Sequence, residues 1–299
     1  MFHVEQMNQF LVTIEQSNKS VSPEKPFLIC KDHLVSGEDF KISEYETGIL
    51  KTHPFPKNLS KYYESEDYIS HSDSKKSFQD KIYHSVKSHM LSKKAKWIRN
   101  FVKHGRILDY GAGTGEFLNK MRTLLFNVEG VEPNETAREL AILKGLDLKP
   151  ELSDVLIKQF DVISLWHVLE HIPDFENKIS EFKPILAEEG ILIIAVPNYK
   201  SYDANYYKQD WAAWDVPRHL WHFSRIGLKQ KIEKHGFELV KEKPLKFDSF
   251  YVSLLSEKNK PGSTNLINAF YRGFLSNIKA KHSGEYSSIA YFFKKVNIT

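Results

Sequence analysis

R-I-L-D-Y-G-A-G-T-G-E-F-L, residues 106–118, is the stretch from which the rest of the chain can be read. Arg106–Tyr110 has the make-up of a short buried strand, and Glu116 opens a run of helix formers. Between them stand three glycines at alternate positions. Gly111 and Gly113 let the backbone turn sharply and approach a ligand with no Cβ in the way, and Gly115 lets the helix start pack close to the strand. A helix N-terminus offers unpaired N–H groups and positive potential, which suit a carboxylate. Asp109, at the strand's end, offers a negative group to an ammonium. A ligand carrying both charges has an amino-acid moiety. A dinucleotide cradle would use G-x-G-x-x-G. The spacing here is G-x-G-x-G with an acid two residues ahead, which points to S-adenosylmethionine instead.

Working outward, the rhythm is strand, helix, strand. Val128–Glu132 is the next strand, and an acid at its tip, Glu132, can accept both hydroxyls of a ribose. A helix Glu135–Lys144 and a weak third strand, Leu146–Lys149, follow; Asp154, just beyond, is a candidate acceptor for the exocyclic amine of an adenine or else a capping residue. Phe160–Trp166 is a strong fourth strand. Its last residues, Leu165 and Trp166, and the following His167 border the expected cofactor crevice, where an aromatic face favours positive charge. A helix over Phe175–Ala187 precedes a fifth strand, Gly190–Val196. Ser224 caps a helix Arg225–His235 that ends at Gly236. Phe237–Lys246 and Ser288–Val296 complete the strands. Alternating strands and helices imply an α/β fold with a doubly wound sheet.

D-Y-G-A-G-T-G, then V-E-P, then F-D-V-I-S-L-W-H-V-L-E-H-I-P-D together resemble the class I S-adenosylmethionine-dependent methyltransferases, and most closely the subgroup of ubiquinone-biosynthesis O-methyltransferases. W-D-V-P-R-H-L-W-H-F-S, residues 214–224, is similar to the same subgroup. The resemblance covers about Gly105–Val240. It implies a Rossmann-like sheet of seven strands with the last antiparallel, and methyl transfer to a small acceptor. Two features depart from it. Many relatives carry an N-terminal cysteine-rich zinc ribbon, whereas this chain has Cys30 alone, and one thiolate with scattered histidines does not make a tetrahedral site. Some quinone O-methyltransferases place a divalent ion on an E-x-x-E-H run. Here the run is His167-Val-Leu-Glu170-His171, which lacks the first carboxylate, so no metal is expected.

Pro197–Phe223 is a long connection dense in aromatics, among them Tyr199, Tyr206, Trp211 and Trp214, and it suits a lid over an apolar or planar acceptor. Within it His219 or His222 is the candidate general base and Arg218 the candidate partner for an acceptor anion. Residues 1–73 read as an extension with some strand character. Residues 74–104 read as a basic amphipathic helix with a solvated polar face, and 105–299 as the methyltransferase domain. The domain holds an insertion at about 247–287, where Leu266, Ile267, Phe270, Phe274 and Ile278 fall at helical steps; a plain packed helix is the default, and a lid, a homodimer surface or a membrane-facing helix are the alternatives.

With 41% hydrophobic residues among 299 the chain can bury a sizeable core, and a net charge of +4 is too mild to argue for nucleic acid. One cysteine, no leader-like start and no apolar run of membrane-spanning length lead to the expectation of a cytoplasmic enzyme with a small-molecule acceptor. O-methylation of a quinone- or phenol-like, lipid or sugar-linked metabolite is the leading function. Methylation of a protein or nucleic acid is the alternative, and a non-catalytic binder or an NAD-dependent oxidoreductase comes last.

Overall fold

The computed structural model describes residues 26–56, 58–62, 78–156 and 159–296. The start of the chain, read as lacking a leader, and most of the polar run about 60–74 lie outside the described residues. Three strands come first: β1 (Leu28–Lys31), β2 (Asp39–Glu46) and β3 (Ile49–His53). Phe40 and Ile42 alternate inward along β2, and Gly48, at φ +83°, turns the chain back into β3. The basic helix α1 (Phe78–Arg99) follows.

Next comes the alternating region: β4 (Arg106–Tyr110), α2 (Glu116–Arg122), β5 (Asn127–Val131), α3 (Glu135–Ile142), β6 (Phe160–Trp166), α4 (Phe175–Ile185), β7 (Leu186–Pro197) and the short α5 (Tyr202–Tyr207). Asn134 and Asp174 cap α3 and α4 through their side chains. The chain closes with β8 (Trp221–Phe223), α6 (Arg225–Lys234) capped by Ser224, β9 (Phe237–Pro244), α7 (Asp248–Asn259), α8 (Leu266–Ser283) and β10 (Ser288–Lys295).

The main sheet has the order β5-β4-β6-β7-β10-β9. Its first four strands pair in parallel, and β10 runs antiparallel to both neighbours, as the family resemblance implied. Leu108, Ile163 and Ile194 face one packed layer, and Ile107, Val162 and Ile193 the other, so both faces are covered. Among the described residues this sheet has six strands, where seven were expected. The expected third strand is reduced to one parallel bridge between Val131 and Lys149. Pro150 follows at once and has no N–H with which to extend the ladder.

The strand character expected near the start of the chain is found in residues 28–53. Strands β1, β2 and β3 join β8 in a second, antiparallel sheet. Its core is Cys30, Phe40, Ile42 and Leu50 packed on Tyr207, Trp211 and Trp214. Tyr199, Tyr207, Trp211 and Trp214 thus fill a core between this sheet and α5, and the connection expected as a lid is here a packed loop. Apolar rings with a sheet to pack against have no reason to stay in water.

Candidate functional site

The glycine loop leaves β4 with Gly111, Gly113 and Gly115 at φ +75°, +54° and +75°. Gly111 and Ala112 donate their N–H groups to the Val131 carbonyl at 2.8 and 3.0 Å, tying the loop to the tip of β5. A Cβ on Gly111 would stand 2.4 Å from Val168, whereas one on Gly113 would meet nothing within 4 Å. The space over Gly113 is therefore open. Glu132 accepts from the N–H groups of Gly113 (2.8 Å) and Asn134 (2.9 Å). A carboxylate has about four lone-pair sites, so about two remain for a diol. Burial pushes the Glu132 carboxyl up, against those bonds.

Asp109 is 3% exposed and accepts from Ser164 Oγ at 2.6 Å. Burial pushes its carboxyl up to about 7, against the Ser164 bond and the charge of Lys94. The Lys94 ammonium, from α1, lies 4.1 Å from the centre of the Trp166 ring, where burial pushes it down against the charges of Asp248 and Asp109. The indole N–H of Trp166 is buried with no acceptor. A buried carboxylate, a half-used one, an orphaned N–H and an open glycine face fit a ligand that combines an ammonium with a nucleoside. Asp154 sits exposed in the turn after Lys149, whose carbonyl holds the Glu132 N–H. The Leu165 side chain faces away from Asp109: it is 0% exposed and part of the opposite packed layer, because strand residues alternate faces and its neighbours Ser164 and Trp166 take the Asp109 side.

At the tip of β6 the chain turns through His167, at φ +59°. Its Nε2 lies 3.0 Å from Asp248 at the start of α7, and its Nδ1 3.6 Å from Glu170. Burial alone would lower His167, but these two acids carry it up to about 9. Glu170 is 1% exposed with neither oxygen in a hydrogen bond of normal length. The His219 Nε2 approaches it to 4.0 Å.

The acceptor-side residues divide. Arg218 is 1% exposed and grips Asp215 at 2.5 Å and Asp32 at 3.4 Å. It joins the N-terminal sheet to the 215 turn and is not presented to an acceptor anion, which corrects its expected role. His222 packs between β3 and the Trp214 ring, 4% exposed, with Nε2 2.9 Å from Thr52 Oγ1. The Thr52 hydroxyl already donates to the His219 carbonyl at 2.7 Å. Nε2 of His222 therefore donates and has no lone pair for a proton. Burial holds this imidazole well below its ordinary range. His219 differs: Nδ1–H donates to the Ala213 carbonyl at 2.9 Å, which leaves the lone pair on Nε2, 3.8 Å from Asp215. His171 lies ring to ring with it at 4.6 Å and donates from Nδ1 to the Arg218 carbonyl. One ligand atom each from Glu170, His171 and His219 lies within 4.8 Å of the others. This cluster was not expected from the sequence.

Lys94 and Asp248 were also missed. Lys94 had a signal, since it shares a helical row with the partly buried Met90 and buried Ile98. Asp248 had none, because its partner is remote in sequence.

The sequence profile of a family described as a methyltransferase domain matches residues 84–242, more than half of the chain. The ubiquinone biosynthesis O-methyltransferase of Haemophilus ducreyi is 30% identical over 107 residues, 31% of this chain and 45% of that protein. Its namesake from Chelativorans sp. is 31% identical over 102 residues, 31% of this chain and 40% of that protein. The chain spans less than half the length of either relative. Among solved structures, StiE O-MT residues 961–1257 superposes with a TM-score of 0.51 at 14% identity, covering 75% of this chain and 79% of that one. That likeness is one of fold.

Proposed function

The chain belongs to the methyltransferase-domain family, whose cofactor is S-adenosylmethionine, and we propose that it methylates a hydroxyl of a small acceptor: a phenol- or quinone-like, lipid or sugar-linked molecule. The observation that carries this reading is the Nε2 lone pair of His219, fixed by the Ala213 carbonyl and set among acids one carboxylate away from the tip of β6. The hydroxyl-methylating names of the partial relatives agree with it. When bound, the cofactor supplies a methyl group already activated on a sulfonium. The chain's residues do the rest. Asp109 pairs with the ammonium, Gly111, Gly113 and Gly115 shape the backbone cradle, and Glu132 takes the ribose hydroxyls. On this reading Asp154 takes the adenine amine and Trp166 lies on the sulfonium side. His219 takes the hydroxyl proton at Nε2, and Asp215 and Glu170 stabilise the imidazolium that forms.

The test is a screen of hydroxyl acceptors scored by S-adenosylhomocysteine release, run with the wild type and His219→Ala. Turnover should fall by roughly 10²–10⁴ while cofactor affinity holds. A variant within a few-fold of wild type would remove His219 as base and leave alignment as the whole mechanism. One observation favours a second reading: the convergence of Glu170, His171 and His219. These side chains would hold a divalent cation, which supplies a Lewis acid to the acceptor oxygen. Activity that survives excess chelator favours the metal-free reading; loss with rescue by a divalent ion favours the second.

A further inference from the structure

The insertion between β9 and β10 folds as a two-helix hairpin, α7 and α8, whose polarity is inside out. The side of α8 that packs inward is made of small residues: Ala269, Gly273, Ser276 and Ala280. A Cβ on Gly273 would stand 2.8 Å from the Cα of Phe250, so the two helix backbones touch. On α7 the inward side is Ser249, Ser253 and Ser256, with Glu257. Most of the large apolar side chains of α8 point the other way, and Phe270 is largely exposed even where its ring centre lies 5.1 Å from that of Phe250 of α7. Leu266, Ile267, Phe270, Tyr271, Phe274 and Ile278 are exposed, Ile267 by 84% and Phe270 by 66%. They fall on one face at three- and four-residue steps. A helix that packed in water to bury its apolar face would be turned the other way round. Small residues between helices and large apolar ones outward is the arrangement that suits an apolar surrounding.

Charge decides what that surrounding is. From Phe247 to Ser283 the sequence has two acids, Asp248 and Glu257. Both are occupied: Asp248 lies 3.0 Å from His167, and Glu257 accepts from Asn268 and is 5% exposed. The exposed charges of the hairpin are Lys258, Lys279 and Lys281, with Lys246 just ahead of it. Lys281 continues the row of Phe270, Phe274 and Ile278. A second copy seated on this face about a two-fold axis would bury Lys281 among apolar side chains, with no exposed acid on the hairpin to meet it. An anionic bilayer surface would meet both features, taking the apolar side chains at the boundary of the acyl chains and the lysines among the phosphates. Among the described residues no helix is long and apolar enough to cross a membrane. With 18 residues, α8 lies flat over about 27 Å.

We propose that the exposed face of α8 docks the protein on an anionic membrane surface. The hairpin is tied to the cofactor end of the sheet through Asp248 to His167 and through Ser276, which donates to Asp203 at 2.6 Å. Docking therefore sets the crevice beside the bilayer. This holds whatever the acceptor is.

The test is flotation of the full chain with vesicles of phosphatidylcholine, with and without phosphatidylserine, at low and high salt. The wild type should float with the anionic vesicles, less at high salt, and only weakly with the neutral ones. The triple variant Leu266→Ser, Ile267→Ser, Phe274→Ser changes exposed residues alone, and its circular dichroism, melting and cofactor affinity should match the wild type while flotation is lost. Should that variant misfold, Lys279→Glu with Lys281→Glu asks the same question, and partition to anionic vesicles should fall at least about tenfold. Absence of wild-type flotation on anionic vesicles, or variants that float like the wild type, overturns the proposal. So does a wild-type dimer that the triple variant abolishes with no vesicle binding, which would make the face a self-association surface.

Discussion

The assignment of Asp109 to the cofactor ammonium predicts a definite pH dependence. In the free protein burial holds this carboxyl near 7, against an ordinary value of 3.8. A bound ammonium needs the ionised form, so below pH 7 binding must expel a proton. The apparent affinity then falls roughly tenfold per pH unit, about 1.4 kcal/mol, and on the order of 20-fold between pH 7.5 and 5.5. The linkage has a second face. Because the folded value lies above the unfolded one, the free protein holds the extra proton between about pH 4 and 7, and this group's contribution to stability falls as pH rises through that window. Cofactor binding should therefore raise the melting temperature more at pH 7.5 than at pH 5.5. Calorimetry with S-adenosylhomocysteine, in buffers of differing ionisation enthalpy, reads both the affinity and the released proton. Asp109→Asn keeps the shape but not the charge, and should bind weakly with a flat pH profile. A wild type whose affinity is flat over this range, or an Asn variant that keeps both affinity and slope, would refute the pairing.

The other expectations concern single contacts. Gly113→Ala should fold, at a cost of roughly 1–2 kcal/mol for the left-handed backbone, yet lose at least about tenfold in S-adenosylhomocysteine affinity, about 1.4 kcal/mol, since its new methyl meets no protein atom and points into open space; retained affinity would move the ligand elsewhere. Arg218→Ala should destabilise by about 3–5 kcal/mol in denaturant melts by stranding two acids, and a melt near that of wild type would show the Asp32–Arg218–Asp215 link to be idle. Thr52→Val leaves the His222 N–H and the His219 carbonyl short of a partner, so stability should drop by about 1–3 kcal/mol and turnover should fall while cofactor affinity stays; an affinity loss instead would contradict the separation of the two halves of the site.

What could be read in the sequence was what local rules control. The G-x-G-x-G loop, the acid at the tip of β5 and the capping residue Ser224 each act within a few residues, and each is found where the pattern put it. The third strand failed on a local rule too, for Pro150 was in plain view. The rest rests on long-range pairing that no periodicity encodes. Thr52 meets His222 across 170 positions, and Arg218 meets Asp32 across 186. A buried arginine in an aromatic loop reads as an anion binder until its two acids are known. The inside-out polarity of α8 was hidden for the same reason: its apolar row was visible, but which side of the helix met α7 was not.

These ranges of interaction divide the labour within the site. The cofactor cradle depends on β4, β5 and the loop between them, all drawn from one short piece of chain. The acceptor side is assembled at a distance. Leu220 N–H donates to the Glu170 carbonyl, and the Leu220 carbonyl accepts from Thr52 N–H. The segment bearing His219 is thus stitched to the tip of β6 on one side and to β3 on the other. Arg218 adds a buried ion pair to the loop after β1. The tautomer that leaves a lone pair on His219 Nε2 is set inside this second assembly, by the Ala213 carbonyl. Changes in the N-terminal sheet should therefore register in turnover before they register in cofactor binding. If His219 is the base, as proposed, the sheet formed by β1, β2, β3 and β8 holds its imidazole in position, and the aromatic core supplies the rigidity that a fixed tautomer requires.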